Sequence, residues 1–266
     1  MKTLIACAQF AAAPGDAAGN IGRMESLSCE AGSLGARIVV FPELCLPGYV
    51  SPGEAGDLAI DLDGPEIGRL REAARGAKAA LCFGFIERAP GGRLYNSMAF
   101  VDPGRGLLAV YRKVHLWQAE SEWAAEGGRF DAFDAIGAFD AGPLRCGMWI
   151  CYDTRFPEAA RAVALAGATA ALVGSAWFGP AEEWELALRA RALDNGIFAA
   201  GAALQGSAGG AAFHGASLVV DPHGVVLARA REGRDEVIAA EYDDEAVASF
   251  RARLPLLAHR RPGAYA

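Results

Sequence analysis

The sequence predicts an α/β fold, because segments with the apolar pattern of strands alternate with segments that have the pattern of helices. A second observation concerns two hairpin-like segments. In each, an Asp-Pro turn joins two apolar strands, at Asp102-Pro103 and again at Asp221-Pro222. Since these similar hairpins lie far apart in the chain, we expect two sheets built on similar plans.

The predicted elements follow in order along the chain. They are a strand at Leu4 to Phe10, a helix near Asn20 to Leu34, a strand at Ile38 to Phe41, a helix near Pro65 to Ala77 and a strand at Ala80 to Ile86. Farther along, Leu144 to Ile150 has the pattern of a strand, and Pro157 is a favoured first residue for the helix after it. The segment from Glu182 to Asn195 predicts an amphipathic helix with Trp184, Leu186, Leu188 and Leu193 on its apolar side.

The first residues also have some features of an export signal, with Lys2 followed by a short apolar run. Gln9 interrupts that run, however, and a buried first strand explains the segment better. We therefore expect a cytoplasmic protein.

Composition favours a single domain over residues 1–266. Hydrophobic residues make up 53% of the 266 residues, and the 33 glycines are spread along the chain without a polar linker. We expect residues 250–266, with their arginines, Pro255 and Pro262, to form a C-terminal extension on the surface or across an interface. A net charge of −7 without clustered basic residues argues against nucleic-acid binding, and we expect no membrane partner.

The six cysteines favour free thiols over disulfides or a metal site. Their spacing shows neither a CxxC pair nor the paired cysteine and histidine spacing of zinc sites, and a core of this size does not need a disulfide. We therefore expect no metal. Cys45 follows Glu43 so closely that its thiol could face the same pocket.

Cys151 is the most informative cysteine, because it follows the strand that ends at Ile150 and precedes the next helix. We expect its thiol to be exposed at the strand end, where backbone N–H groups of the turn could stabilise a thiolate or an oxyanion. Seen alone, a buried structural cysteine would be the commoner explanation.

Two other predicted strand ends carry residues that would complete a catalytic set. Glu43 follows the strand that ends at Phe41, and Lys113 ends the strand that includes Val110. A carboxylate can take the proton of a thiol, and an ammonium can stabilise the negative charge of a tetrahedral intermediate. Either residue alone would more often be a turn carboxylate or a solvated charge, but the combination with Cys151 favours catalysis.

Three segments carry a resemblance to a known family: Phe41 to Tyr49 (FPELCLPGY), Tyr111 to Leu116 (YRKVHL) and Ile150 to Glu158 (ICYDTRFPE). Together with shorter matches along the chain, they resemble the nitrilase superfamily, the carbon–nitrogen hydrolases. The resemblance implies a four-layer αββα sandwich with two mixed β-sheets, and a homodimer or larger homo-oligomer. It also implies that Glu43 is the general base, Lys113 the oxyanion-stabilising lysine and Cys151 the acylated nucleophile.

The family often has a second glutamate after the lysine, seven residues before a glycine, and Glu120 stands in that relation to Gly127. By that resemblance, Glu120 orients Lys113 or positions the substrate amine. The neighbouring Glu122 and Glu126 leave the register open, because the usual sequence pattern is incomplete here. A solvated acidic loop is the alternative.

The resemblance also implies a reaction, the hydrolysis of a small linear amide to an acid and ammonia through a cysteine thioester, with no cofactor. Tyr152 and Asp153 after the nucleophile resemble the amidase branches and disfavour a nitrilase. The whole motif is similar to omega-amidases and deaminated-glutathione amidases, which act on small carboxylate-bearing amides. Arg155 could bind such a carboxylate, although an arginine at a helix start that pairs with an acidic residue is the commoner case.

We expect the pocket walls to include Tyr49, Tyr152 and Trp177, with Trp117 as a further candidate. Two other functions stay open at this point. The same catalytic residues could serve an N-carbamoyl amide hydrolase, and the scaffold could instead be a catalytically silent binding or assembly protein.

Overall fold

The computed structural model describes residues 2–136 and 144–265, so Met1, residues 137–143 and Ala266, which the predicted domain includes, lie outside the described residues. The helices are α1 (Ala17–Ser33), α2 (Pro65–Ala77), α3 (Pro157–Leu165), α4 (Ala181–Asn195) and α5 (Asp244–Arg253). The strands are β1 (Lys2–Gln9), β2 (Ala36–Val40), β3 (Ala80–Arg88), β4 (Leu94–Asp102), β5 (Gly106–Arg112), β6 (Ala132–Ile136), β7 (Leu144–Ile150), β8 (Ala170–Ser175), β9 (Phe198–Ala203), β10 (Gln205–Ala208), β11 (Ala211–His214), β12 (Leu218–Val220), β13 (Val226–Arg229) and β14 (Glu236–Asp243).

Two six-stranded sheets form the body of the molecule, the first in the order β14-β1-β2-β3-β4-β5 and the second in the order β13-β12-β9-β8-β7-β6. In the first sheet, β1, β2 and β3 pair in parallel, whereas β3 and β4 are antiparallel. In the second sheet, β7, β8 and β9 pair in parallel, whereas β6 and β7 are antiparallel. Both sheets are therefore mixed, as predicted.

The sheets face each other across an apolar core, and helices cover their outer faces. Cys82 on β3 and Met148 on β7 meet in this core, where Sγ lies 3.5 Å from Sδ. Met24 of α1 packs on the outer side of the first sheet, while Val163 of α3 and Trp184 of α4 pack on the second. This arrangement confirms the four-layer αββα sandwich.

The two predicted hairpins lie in different sheets. In the first sheet, Asp102 ends β4 and Pro103 leads to β5. In the second sheet, Asp221-Pro222 follows β12 and leads to β13. Each aspartate accepts backbone hydrogen bonds within its own turn, from Gly104 and Arg105 in the first hairpin and from His223 and Val225 in the second. The similar sequence pattern thus corresponds to a similar turn in two separate sheets.

The first strand is also present, since β1 lies between β14 and β2 and is buried from Ile5 onward. In the part of the chain that the structure describes, no helix is both long and apolar enough to cross a membrane.

Two details of the helices differ from the sequence prediction. In α4, Trp184 and Leu188 are buried, but Leu186 is 68% exposed and Leu193 is 43% exposed, because they lie outside the stripe that packs on β9 and β12. The apolar side predicted for this helix was therefore too wide. At the other end of the chain, Phe250 is buried within α5, so the surface segment begins only after that helix ends.

Candidate active site

Three segments that leave strands bring the predicted residues to one place. Glu43 follows β2, Lys113 comes directly after β5, and Cys151 comes directly after β7. All three are buried, with exposed fractions of 1%, 1% and 6%. The charges of Glu43 and Lys113 both act on the Cys151 thiol. The three residues therefore share one site between the two sheets.

Lys113 lies between two buried carboxylates. Its Nζ donates hydrogen bonds to Glu43 Oε1 at 2.7 Å and to Glu120 at 2.9 Å (Oε1) and 2.7 Å (Oε2). Glu120 is 5% exposed, whereas Glu122 lies on the surface. The structure thus places Glu120, and not Glu122, against the lysine, because the short 3-10 helix Gln118–Glu122 turns Glu120 inward.

Asn96 on β4 joins the same cluster, although the sequence argument did not include it in the site. Its Nδ2 donates to Glu43 Oε1 at 2.8 Å and to Glu120 Oε1 at 2.9 Å. Asparagine is depleted in strands, and Asn96 stands beside a second buried polar residue, Ser97; this polar pair in a buried strand was the signal that could have identified it. Asn96 therefore helps Lys113 to hold the two carboxylates side by side.

The turn at Cys151 differs from the sequence prediction in two ways. The thiol is buried rather than exposed, because the pocket at this strand end is narrow and its walls close over the sulfur. The chain also does not enter a helix at once: a short 3-10 helix, Cys151–Arg155, and an extended Phe156 precede α3, which begins at Pro157 as predicted. Cys151 itself adopts a φ of 43°, a left-handed conformation that is costly for a residue other than glycine and is often found at functional sites.

Ala176 connects the thiol with Glu43 through its backbone. The Cys151 thiol donates to the Ala176 carbonyl oxygen at 3.7 Å, and the Ala176 N–H donates to Glu43 Oε2 at 2.7 Å. The hydroxyl of Ser175, the preceding residue at the end of β8, is buried and finds no hydrogen-bond partner among the described residues. The carbonyl oxygen and the N–H of Ala176 therefore hold the Cys151 sulfur and the Glu43 carboxylate close to each other.

Burial and charge oppose each other in this cluster. Burial raises the pKa of the Cys151 thiol well above its usual range, and Glu43 raises it further, whereas Lys113 lowers it. Burial lowers the pKa of Lys113, but Glu43 and Glu120 together raise it by more, so that it lies above its usual value. Burial also raises the pKa of Glu120, against the effect of Lys113. At neutral pH the site therefore holds a neutral thiol beside a charged lysine.

Two glycines, one from each sheet, allow the Glu43 segment to pass between the sheets. A Cβ at Gly84 of β3 would lie 2.5 Å from the backbone nitrogen of Leu44 and 2.7 Å from Cα of Glu43. A Cβ at Gly174 of β8 would lie 2.9 Å from the backbone nitrogen of Glu43. A side chain at either position would displace the segment that carries the Glu43 carboxylate.

A buried aspartate joins the cysteine turn to the segment that follows Lys113. Asp153 Oδ2 accepts hydrogen bonds from Tyr111 Oη at 2.6 Å and from the Ile150 N–H at 3.1 Å. Its Oδ1 accepts from the His115 N–H at 3.0 Å and lies 2.8 Å from His115 Nδ1. Asp153 therefore fixes the position of β7's end relative to β5's end.

The pocket beside the thiol has aromatic walls. Trp117, Tyr152, Arg155, Trp177 and Phe178 line it together with Cys151. Tyr152, Trp177 and the further candidate Trp117 thus line the pocket as the sequence analysis expects, and Arg155, the candidate ligand of a carboxylate, lines it too. Phe178 was missed, although its position next to Trp177 after a strand was a usable signal.

Tyr49 lies behind that wall. Its ring packs against Phe178, with centroids 5.4 Å apart, and against Phe213 at 5.2 Å. Burial and the charges of Glu43 and Glu120 raise its pKa, which shows that it is near the acidic cluster. Tyr49 therefore supports Phe178 from behind.

Arg155 is paired with an acidic residue, the commoner of the two cases considered above. Its Nη2 donates to Glu183 Oε2 at 2.7 Å, and its Cζ lies 4.4 Å from the centroid of the Trp177 ring. Glu183 belongs to the first turn of α4.

All six cysteines are free thiols, as predicted. Cys45 does not face the pocket: its Sγ lies 3.5 Å from the Gly84 carbonyl oxygen and 4.0 Å from Met24 Sδ, on the side of the first sheet that α1 covers. Within residues 2–136 and 144–265, no group of three or more histidine, cysteine, aspartate or glutamate side chains is arranged to hold a metal ion.

Comparison with known proteins gives matches that extend over most of the chain, and the family match includes all the site residues described above. Residues 4–252 match the sequence model of the family described as carbon–nitrogen hydrolase. An (R)-stereoselective amidase of a Pseudomonas species is 36% identical over 86% of this chain and 80% of its own length. The omega-amidase of Homo sapiens is 34% identical over 93% of this chain and 91% of its own length.

Among solved structures, variants of an amidase from Nesterenkonia sp. AN1 superpose over most of the chain. A double variant in complex with acrylamide has a TM-score of 0.86 at 26% identity, with 99% of this chain and 95% of that chain covered. Another variant, with a TM-score of 0.84 at 26% identity and the same coverage, carries the acetamide moiety of fluoroacetamide covalently added at its active-site cysteine.

Proposed function

Because the chain belongs to the carbon–nitrogen hydrolase family, we propose that it is an amidase that cleaves a small linear amide to a carboxylic acid and ammonia through a thioester on Cys151. The observation that carries this proposal is the contact of Lys113 with both Glu43 and Glu120, buried beside the Cys151 thiol. Keeping these three charged side chains away from water costs free energy of desolvation. Such clusters of buried charges are typical of functional sites.

In the first half of the reaction, Glu43 takes the thiol proton as Sγ attacks the carbonyl carbon of the amide. Lys113 stabilises the negative charge that develops on the carbonyl oxygen. The proton on Glu43 then passes to the leaving nitrogen, the carbon–nitrogen bond breaks, and ammonia departs. Because the thiol pKa is raised, proton transfer to Glu43 accompanies the attack rather than preceding it.

In the second half, a water molecule enters the place of the ammonia. Glu43 takes a proton from this water, whose oxygen attacks the thioester carbon. Collapse of the second tetrahedral intermediate breaks the carbon–sulfur bond, and the proton returns to the sulfur. Glu120 and Asn96 act on Lys113 and Glu43 rather than on the substrate, so their proposed part is to position these two groups.

The test combines turnover with intact-mass spectrometry. Ammonia release is measured with a panel of small amides, carboxylate-bearing amides and ureido compounds, and the mass of the acyl adduct is recorded during turnover. Cys151→Ala should abolish both, whereas Cys29→Ala, which removes an exposed thiol, should leave both intact. Turnover by Cys151→Ala, or an adduct on another cysteine, would contradict the proposal. Release of ammonia from ureido compounds alone would favour the N-carbamoyl hydrolase instead.

We also propose that the protein acts as a homodimer or larger homo-oligomer in the cytoplasm. Exposed leucines support an interface on the outer helices: Leu165 at the end of α3 is 48% exposed, and Leu186 of α4 is 68% exposed. Light scattering of the wild type and of Leu186→Glu tests the assembly, since a charge at a buried interface should shift the mass towards the monomer.

A further inference from the structure

The charge of the pocket wall is concentrated in one side chain. Of the residues that line the pocket in the described part of the chain, Arg155 is the charged one, and the others besides Cys151 are aromatic. A substrate whose amide reaches Cys151 therefore places the rest of its acyl chain among aromatic rings, with a guanidinium at the edge. Such a wall can bind an apolar acyl chain by burying it. It can bind a carboxylate only if the guanidinium is free to donate hydrogen bonds to it.

The guanidinium is already occupied. Arg155 donates to the Glu183 carboxylate at 2.7 Å and covers the ring of Trp177, with Cζ 4.4 Å from the centroid. Two groups therefore hold it, a carboxylate on α4 and an aromatic ring face after β8. The outward pair is half-exposed, with side-chain exposures of 41% for Arg155 and 50% for Glu183, so its contribution to folding is small.

An ion pair that contributes little to folding can still discriminate between substrates, because Glu183 is part of the same molecule as Arg155. A carboxylate attached to the same molecule competes at an effective concentration that is typically of millimolar order. A free substrate carboxylate must displace it, and must also approach a site mouth that already carries the negative charge of Glu183. An uncharged acyl chain meets neither obstacle.

We propose that Glu183 is a specificity-determining residue, which keeps Arg155 from binding a substrate carboxylate and thereby directs the pocket towards amides with an uncharged acyl chain. This inference rests on the proposed amidase function. It assigns to α4 a part in substrate selection, because the first turn of that helix supplies the competing carboxylate.

Butyramide and succinamate form the matched pair for the test, since a carboxylate in succinamate replaces the terminal methyl group of butyramide. The ratio of kcat/KM for succinamate to that for butyramide is measured by ammonia release. In the wild type we expect butyramide to be favoured by about tenfold or more. Glu183→Gln should raise the succinamate to butyramide ratio by at least about tenfold, mainly through KM, because the freed guanidinium binds a part of the substrate that does not react.

Two further variants separate this effect from a general change in charge. Glu182→Gln removes the same charge from the neighbouring exposed position of α4 and should leave the ratio as in the wild type. Arg155→Leu combined with Glu183→Gln should cancel the gain. An unchanged ratio in Glu183→Gln, or a wild type that prefers succinamate, would overturn the inference.

The experiment also separates the inference from the proposed function. A folded wild type that releases no ammonia from these two amides or from any other amide of the panel contradicts the proposed function. The inference is then measured by calorimetry, as the ratio of dissociation constants of the two amides for Cys151→Ala with and without Glu183→Gln. A shift of that ratio towards succinamate supports the inference, and an unchanged ratio overturns it.

Discussion

Lys113 Nζ donates a hydrogen bond to Glu43 Oε1 at 2.7 Å, although the two residues are 70 positions apart and each side chain is 1% exposed. Neither charge is accessible to water, so each depends on the other and on Glu120 for its stability. A pair of this kind is costly to break from either side, because the remaining charge is left buried without its partner.

Lys113→Ala should lower kcat/KM by on the order of 100-fold or more, because one donor to the developing oxyanion is lost. It should also destabilise the fold by about 3–5 kcal/mol, since two buried carboxylates remain without their cation. Steady-state kinetics and urea unfolding measure the two effects. Lys2→Ala, at an exposed ion pair with Glu241, is the control and should change neither by much. A mild kinetic effect in a folded Lys113→Ala would remove the lysine from the mechanism.

Gly174→Ala should impair activity by displacing Glu43. The added Cβ would lie 2.9 Å from the backbone nitrogen of Glu43 and 3.0 Å from Met98 Sδ, closer than packed atoms allow. We expect a fall in kcat/KM of at least about tenfold, since small displacements in an active site are costly. In the control Gly68→Ala, on α2, the new methyl group meets open space, so activity should be kept and stability should rise slightly. Equal activity of both variants would contradict this view of Gly174.

Tyr111→Phe should destabilise the protein by about 1–3 kcal/mol, because it removes a donor to the buried Asp153 carboxylate and an acceptor for the Val114 N–H. The free energy of unfolding in urea measures the change. Tyr95→Phe is a matched control in the neighbouring strand, since Arg112 lies over the ring face, which a phenylalanine keeps. If both variants lose the same stability, the Asp153 contact is not the cause.

The alkylation of Cys151 should depend on pH in the manner of a thiol with a raised pKa. Burial and then Glu43 disfavour the thiolate, so the pKa moves upward and the thiolate fraction at neutral pH falls. An ordinary thiol, with a pKa of about 8.5, reaches its full rate with iodoacetamide above about pH 9.5. The rate of alkylation at Cys151, followed by peptide mass spectrometry, should still rise with pH above that value. A rate that levels off below about pH 8 would show a thiolate at rest instead.

Much of the site could be predicted from the sequence, because each of its main residues follows a recognisable strand. Glu43, Lys113 and Cys151 stand where apolar runs end, and strand ends at one edge of layered sheets lie close in space. Glu120 could be proposed but not separated from Glu122, since a short 3-10 helix decides which side chain turns inward. Asn96 was missed because its two carboxylate partners lie 24 and 53 positions away, so the local sequence does not show what its amide contacts.

Sequence by itself determined the order of strands and helices, the two similar hairpins and the chemical types that end the strands, since these depend on local patterns of apolar and polar residues. Tertiary structure alone decided how deeply Cys151 is buried, which glutamate meets Lys113 and which carboxylate occupies Arg155. These outcomes depend on contacts between segments that are distant in the chain, such as the Glu43 backbone between Gly84 and Gly174. No local pattern contains that information, because it arises only when the two sheets pack against each other.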